Sequence, residues 1–201
     1  MNNLHWSQCP FVVVDVEGNG QETHDLIEIA TVHIVDRVAQ PARSWGVRPP
    51  RPITSKVIEI HGITNEMAAT FEPWSVNADD ILSEMADRVV VGHNVSVDAR
   101  VIANTQPDWK PLALIDTRAL AKHVLPGRNE YSLRSLVTDL LPDASNWRHH
   151  RAADDAFVTA LLFLRLASLL EVKVDLNFLA LVQIAGASGD AYIKSQQGSL
   201  F

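Results

Sequence analysis

Cysteine and basic residues are both scarce in this sequence. Its 201 residues include a single cysteine, Cys9, which excludes an internal disulfide and fits a reducing compartment, so we expect a cytoplasmic protein. The 17 Lys and Arg are outnumbered by 24 Asp and Glu, and the formal charge is −7. Nonspecific coating of nucleic acid depends on many Lys and Arg contacts with phosphates, so the composition disfavours a DNA-coating protein. An enzyme that acts on nucleic acid is compatible with this charge if its carboxylates hold metal ions.

Long apolar runs are also absent. The longest, residues 156–170, is interrupted by Arg165 and falls short of the roughly 18 residues that a membrane span needs. Residues 1–10 lack the basic and apolar regions of a secretory signal. We therefore expect no membrane association. Hydrophobic residues make up 47 % of the chain, which favours a folded globule over a disordered chain.

Strand and helix patterns follow one another along most of the chain. Apolar, β-branched stretches predict strands at residues 11–14, 26–35, 44–47, 89–91 and 112–115. Helical spacing and capping residues predict helices at residues 55–60, 75–86, 96–103 or 98–103, 117–124, 133–140, 153–170 and 174–185. Strands come first and then alternate with helices. This order indicates an α/β fold with a mixed sheet, antiparallel at its start and extended by parallel strands.

Acidic residues stand where these elements begin or end. Asp15 and Glu17 close the first strand two residues apart, so their side chains lie on one face, where they repel each other unless a cation lies between them. The same two acids would also fit a solvent-exposed turn that binds no metal. Asp98 begins the helix after another strand, where an acid also favours the helix dipole. Asp155 continues an apolar helix face, where an unpaired acid is costly, whereas Asp154 is placed as a solvated cap.

The four acids are more informative together than alone. An α/β sheet can bring Asp15, Glu17, Asp98 and Asp155 to one edge. Oxygen ligands suit Mg²⁺ or Mn²⁺, and four carboxylates can hold two such ions about 4 Å apart, the arrangement that assists phosphoryl displacement. The sequence therefore predicts a site for two Mg²⁺ or Mn²⁺ ions.

Five ordered segments resemble the motifs of the DEDDh exonucleases, the DnaQ-like group within the RNase H-like superfamily. They are residues 14–20 (VDVEGNG), 61–64 (HGIT), 93–98 (HNVSVD), 116–117 (DT) and 150–156 (HRAADDA). Val16, Gly18 and Val97 depart from the residues that are commoner in the family, and none of them replaces an acid. The resemblance covers roughly residues 11–170. It implies an RNase H-like exonuclease fold, with a central mixed five-stranded sheet flanked by helices.

The resemblance also implies an activity and its residues. Members of this family are 3′→5′ exonucleases that release nucleoside monophosphates. Asp15, Glu17 and Asp155 would hold one ion, and Asp15 with Asp98 would serve the second. His150 would be the general base, since an unperturbed imidazole titrates near neutral pH.

Three further positions are expected to contact the substrate. The resemblance implies that His61 and Ile63 line the pocket of the 3′-terminal nucleotide, and that Asn94 also binds substrate. Core packing or turn structure would explain His61 and Ile63 equally well from the residues alone.

The two ends of the chain differ from the domain between them. Residues 1–10 are expected to form an N-terminal extension, residues 11–172 the exonuclease domain and residues 173–186 an additional helix. Residues 187–201 are small and polar without a period, which predicts a flexible tail.

The last five residues, QGSLF, resemble the pentapeptide that binds the bacterial sliding clamp, with glycine in place of the usual leucine. Gln197, Leu200 and Phe201 would make the contacts, because exposed apolar residues on a polar tail need a pocket to fill. Two alternatives to clamp binding stay open: the match arises by chance, or the five residues dock onto the chain's own domain.

Three functions are weighed on this basis. The first is a metal-dependent exonuclease for single-stranded or frayed DNA 3′ ends, in proofreading or repair, with the sliding clamp and a DNA polymerase as candidate partners. The second is an RNA-trimming exonuclease with the same chemistry, which digestion of DNA and RNA side by side would distinguish. The third is a non-catalytic adaptor that docks on the clamp, which the complete set of acids disfavours.

Overall fold

Six strands form one mixed sheet in the computed structural model, which describes residues 1–187. They are β1 (Phe11–Gly18), β2 (Leu26–Val35), β3 (Val38–Ala39), β4 (Arg43–Gly46), β5 (Val89–Gly92) and β6 (Ala113–Asp116). The order across the sheet is β3-β2-β1-β5-β6. β1 is antiparallel to β2 and parallel to β5, which is parallel to β6. The predicted mixed sheet with an antiparallel start is confirmed.

The count of six strands differs from the predicted five because two short strands share one edge. β4 pairs with the first half of β2, at residues 28–31, and β3 pairs with its end, at residues 34–35. β1 occupies the other edge of β2, so β3 and β4 lie end to end. The sheet is therefore five strands wide, and β3, with only two residues, is too short for a sequence pattern to reveal.

Eight α-helices accompany the sheet in the described residues. They are α1 (Ser55–His61), α2 (Asn65–Ala69), α3 (Trp74–Met85), α4 (Ser96–Thr105), α5 (Thr117–Val124), α6 (Leu133–Leu140), α7 (Ala152–Glu171) and α8 (Phe178–Ala185). Two 3₁₀ helices, Trp6–Gln8 and Pro142–Ala144, also lie within residues 1–187. The sequence did not predict α2, because five residues are too few to show a helical period. Its first turn is capped by the Thr64 hydroxyl, which accepts the Met67 N–H at 3.3 Å.

Helices cover both faces of the sheet, and strand alternation decides which residue faces which layer. Phe11 and Val13 of β1 join the large core cluster formed with α5, α6, α7 and α8. Val12 and Val14 point to the other face, where they join a cluster with α3 and α4. Asp15 and Glu17 continue the face of Phe11 and Val13, so the fold directs both carboxyls toward the α7 layer.

The first ten residues also take part in the core. Trp6 is fully buried, with its ring 6.5 Å from Phe11 and 5.8 Å from Phe163 between centroids. Its indole N–H donates to Glu171 at 2.8 Å. The segment predicted as an N-terminal extension thus closes the end of the sheet opposite Asp15. Within residues 1–187, no helix combines the length and the apolar character that crossing a bilayer requires.

Candidate active site

The four predicted acids lie together where β1 and β5 end. Val13 pairs with Val91, so Asp15 lies just beyond the last paired residues of the two parallel strands. Burial raises the pKa of Asp15 well above its usual range, and repulsion from the carboxyls of Asp98, Asp155 and Glu17 raises it further. The structure therefore brings together side chains that the sequence separates by up to 140 residues (155 − 15).

The neighbours of Asp15 are perturbed in the same direction. Burial, followed by repulsion from Asp155, Glu28 and Asp98, raises the pKa of Glu17 from 4.5 to about 8. Burial also raises the pKa of Asp98, from 3.8 to about 7, although the Val16 N–H donates to its carboxylate at 3.1 Å and opposes the rise. Carboxyls that resist ionisation at neutral pH form a site that a cation would stabilise.

The structure also distinguishes the two adjacent aspartates of α7. Asp155 is buried, and its carboxylate accepts the Trp147 indole N–H at 2.6 Å and the His150 backbone N–H at 2.8 Å. Asp154 turns outward and pairs with Arg148 at 2.9 Å. The predicted burial of Asp155 agrees with the structure, whereas Asp154 is a half-buried residue of the first turn and Arg151 occupies the N-cap position predicted for it.

His150 lies beside these acids at the end of the loop that precedes α7. A ring nitrogen of His150 and one carboxylate oxygen each of Glu17 and Asp155 lie within 4.8 Å of one another. The backbone of His150 has a φ of +59°, a conformation that residues other than glycine seldom adopt. His149 packs on Trp147 with 3.9 Å between the ring centroids. The tight turn presents the exposed His150 imidazole to the carboxylates.

The donor set fits divalent Mg²⁺ or Mn²⁺. Carboxylate oxygens dominate it, and these hard ligands suit both ions. Burial is the main cause of the raised pKa values of Asp15, Glu17 and Asp98, and repulsion from neighbouring carboxyls adds to it at Asp15 and Glu17. A divalent cation between them would remove that repulsion.

A fifth acid, Glu28 of β2, adjoins the site and was missed by the sequence analysis. It lies opposite Glu17 in the β1–β2 ladder and is buried. Its carboxylate accepts the Arg151 guanidinium at 2.9 Å and the Ala152 N–H at 3.1 Å. Glu28 thereby fixes the end of the His150 loop and the first residue of α7. The available signal was the one ionisable residue in the otherwise uncharged and mostly apolar stretch 26–32, where an unpaired charge is costly.

Glu28→Gln is expected to lower turnover about 10- to 100-fold, the usual cost of losing a residue that orients the ligands of a metal site. The amide keeps the shape of the side chain, but it cannot hold the Arg151 guanidinium as an ion pair. Steady-state kcat for mononucleotide release would measure the effect. Glu72→Gln is the matched control, since Glu72 is exposed and makes no ion pair within residues 1–187. Equal kcat for Glu28→Gln and wild type would show that the ion pair does not position the site.

His61 is the last residue of α1 and Ile63 follows the helix, and both are buried. The His61 Nδ1 accepts the Ile63 N–H at 3.0 Å, and its buried Nε2 has no hydrogen-bond partner among the described residues. Burial lowers the pKa of His61, while nearby Glu28 opposes this and His150 lowers it further. The ring therefore lies near the site, whereas the Ile63 side chain packs in a small core cluster with Ile27.

Asn94 stands in the loop between β5 and α4. Its φ is +67°, and its backbone N–H donates to the Asp116 carboxylate at 3.0 Å. Its side chain is exposed beside the site. The predicted clamp contacts of Gln197, Leu200 and Phe201 lie outside the described residues.

Sequence comparison assigns most of the chain to one family. The family RNase_T, described as Exonuclease, matches residues 12–163. A PolC-type DNA polymerase III from Thermotoga petrophila is 34 % identical over 185 residues, which cover 89 % of this chain and 13 % of the polymerase. Exodeoxyribonuclease 10 of Escherichia coli strain K12 is 32 % identical over 158 residues, covering 76 % of this chain and 66 % of that enzyme. The chain thus spans a small part of the polymerase and just under two thirds of the exodeoxyribonuclease.

Solved structures agree with this assignment. Exonuclease X in complex with 5′ overhanging duplex DNA aligns with a TM-score of 0.66 and 30 % identity, over 81 % of this chain and 92 % of that one. The nuclease domain of 3′hExo, a DEDDh family member, bound to rAMP aligns with a TM-score of 0.67 and 15 % identity, over 84 % and 94 %. At 15 % identity, the alignment with 3′hExo shows a shared fold only. Together they confirm the predicted RNase H-like exonuclease fold.

Proposed function

Since the chain belongs to the RNase_T exonuclease family, we propose that it removes nucleoside monophosphates from the 3′ ends of DNA with the help of two Mg²⁺ or Mn²⁺ ions. The observation that supports the proposal is the meeting of Asp15, Glu17, Asp98 and Asp155 at one end of β1, where burial and the other three carboxyls oppose ionisation of Asp15 and a cation would favour it. The exposed His150 beside them supplies a base.

Each acid has a role in this proposal. Asp15, Glu17 and Asp155 hold one ion, and Asp15 with Asp98 serves the second. When bound, the ions offset charge on the phosphate oxygens and make a bound water more acidic. As the water oxygen bonds to the phosphorus of the last phosphodiester, the bond from that phosphorus to the 3′ oxygen of the preceding nucleotide breaks, and the leaving oxygen takes a proton from solvent. His150 would accept the proton of the attacking water, and the hydrogen bond from its backbone N–H to Asp155 keeps the imidazole beside the carboxylates. Glu28 and Arg151 hold the loop in this position.

DNA is the proposed substrate because of the relatives that cover most of this chain. Exodeoxyribonuclease 10 is named for DNA, and Exonuclease X was solved with duplex DNA. The similarity to PolC-type polymerases and to the epsilon subunit of DNA polymerase III from Aquifex aeolicus, which is 28 % identical, supports a role in proofreading or repair beside a polymerase.

Digestion of single-stranded DNA and RNA of the same sequence tests the proposal. The strands carry a 5′ label, and each reaction is run with Mg²⁺, Mn²⁺ or EDTA. We expect metal-dependent shortening from the 3′ end, with a higher kcat/KM for DNA. Faster digestion of RNA would favour the RNA-trimming alternative. No metal-dependent release from either polymer would favour the clamp-binding adaptor.

The clamp proposal rests on residues 197–201 and has its own test. Deletion of these five residues is expected to abolish binding to a bacterial sliding clamp and to leave kcat on short oligonucleotides unchanged, since a tethered peptide acts by raising local concentration. Surface plasmon resonance on immobilised clamp would measure the binding. Gly198→Leu introduces the residue that is usual in such peptides, and it should tighten binding to the clamp. Equal clamp binding by the deleted and intact chains would remove this partner.

A further inference from the structure

A cleft of about 680 Å³ opens beside the acidic site, between the start of α5 and the segment 129–133. Arg118 and Lys122 line its helical side, one turn apart on the same face of α5. His93 and Asn94, which directly follow β5, also line it. The cleft therefore extends from the loop that leads to Asp98 toward a basic helix face.

Hydrogen bonds to backbone groups fix the walls of this cleft. The His93 Nε2 donates to the Tyr131 carbonyl at 3.0 Å and so ties the segment 129–133 to the end of β5. The Asp116 carboxylate accepts the backbone N–H groups of Asn94 at 3.0 Å and Arg118 at 2.8 Å. These bonds hold the loop after β5 against the first turn of α5, so the cleft is already formed without a ligand.

The two cations in the cleft are free to bind an anion. Arg118 and Lys122 are exposed, and neither side chain makes an ion pair or hydrogen bond within residues 1–187. Arg128, by contrast, pairs with Asp139. The acid that lines the cleft, Glu130, accepts the Ser132 hydroxyl at 2.6 Å. An unpaired pair of cations in a chain of net charge −7 marks this surface as suited to an anionic ligand.

The position of the cleft identifies which anion it fits. β6 lies two strands from β1 in the sheet, which is about 10 Å at the usual strand spacing, and α5 starts directly after β6. A single strand whose 3′ end lies at Asp15 can span that distance along the sheet edge. Phosphates recur along such a strand, and paired Arg and Lys side chains are the usual contacts for them.

We propose that this cleft binds the sugar–phosphate backbone of the substrate strand on the 5′ side of the nucleotide being removed. Arg118 and Lys122 each pair with a phosphate, while the four acids and their ions take the terminal phosphodiester. This inference rests on the proposed exonuclease function, because it assumes that the strand ends at Asp15. It explains how an acidic protein holds a polyanion close to a cluster of carboxylates.

The double variant Arg118→Ala/Lys122→Ala tests the inference. Binding of a fluorescent single-stranded DNA of about 12 nucleotides, long enough for a strand-binding site, is followed by anisotropy at several salt concentrations, with Ca²⁺ in place of Mg²⁺. We expect the association constant K to fall about tenfold. The negative slope of log K against log salt should become shallower by about 1.4, or about 0.7 for each lost phosphate contact. Hydrolysis of a dinucleotide with Mn²⁺ should fall by a smaller factor than hydrolysis of the longer strand, because a dinucleotide has a single phosphodiester, which the four acids take.

The control is Arg165→Ala/Lys173→Ala, which removes the same charge from exposed positions in the C-terminal half of α7 and just after it. Its binding and salt slope should match the wild type. Equal binding and slope for the Arg118/Lys122 variant and the control would overturn the inference, as would a wild type that binds no DNA. A wild type that binds DNA but fails to cleave the dinucleotide would instead refute the proposed function. In that case the comparison of DNA binding between the Arg118/Lys122 variant and the control would still test the cleft.

Discussion

Asp15→Asn is expected to lower the rate of mononucleotide release by about 10³-fold or more, while the metal-free protein becomes harder to unfold. The rate falls because Asp15 is the acid shared by both proposed ions, and several kcal/mol of charge stabilisation correspond to at least that factor. Stability rises because burial and repulsion from Asp98, Asp155 and Glu17 oppose ionisation of the Asp15 carboxyl in the folded state, and a neutral amide does not have this cost. Each kcal/mol should raise Tm by about 2–4 °C in a chain of this size.

Calorimetry in EDTA and a nuclease assay with Mn²⁺ measure these opposite changes on one variant. Asp154→Asn serves as the control for loss of one negative charge, since Asp154 pairs with Arg148 at the surface. It should leave kcat close to that of the wild type. Unchanged turnover in Asp15→Asn would refute the site. A lower Tm in EDTA would show that the carboxyls do not repel one another in the folded protein.

In the absence of divalent metal, the protein is expected to lose stability as the pH rises from about 6.5 to 8. The folded-state pKa values of Asp98, about 7, and Glu17, about 8, lie above the ordinary values of 3.8 and 4.5. In that pH range the folded state binds more protons than the unfolded state, so the free energy of unfolding falls as the pH rises. Below about pH 6.5, the lowered pKa values of His61 and His93 instead make the free energy of unfolding rise with pH, because the unfolded state binds more protons at these two residues.

Saturating Mg²⁺ or Mn²⁺ should abolish this decline, because the ions hold the carboxyls ionised in the folded state. Thermal unfolding at half-unit pH steps, with EDTA or with metal, measures both slopes. Glu17→Gln in EDTA should show a shallower decline than the wild type, since its side chain no longer titrates. A wild-type Tm that is constant or rises from pH 6.5 to 8 in EDTA would contradict the account.

The sequence was sufficient to predict those strands and helices whose formation depends on a local pattern of residues. The β-branched runs that gave β1, β2 and β5 needed no tertiary information, and the apolar face of α7 was enough to separate Asp155 from Asp154. β3 and α2 were missed because two and five residues cannot show a period.

The remaining features depend on contacts between distant residues. Glu28 meets Arg151 across 123 positions, and nothing near Glu28 in the sequence indicates its partner. The spacing of Arg118 and Lys122 is that of any solvated helix face, and only the fold places Tyr131 opposite them to form a cleft. Ile63 illustrates the same limit, since a motif position alone does not tell whether its side chain packs in the core or lines a pocket.

Anomalous diffraction from a crystal grown with Mn²⁺ tests the central claim most directly. The account predicts two manganese peaks about 4 Å apart, with oxygens of Asp15, Glu17, Asp98 and Asp155 around them and His150 alongside. Manganese bound elsewhere, with no peak among these four carboxylates, would contradict it.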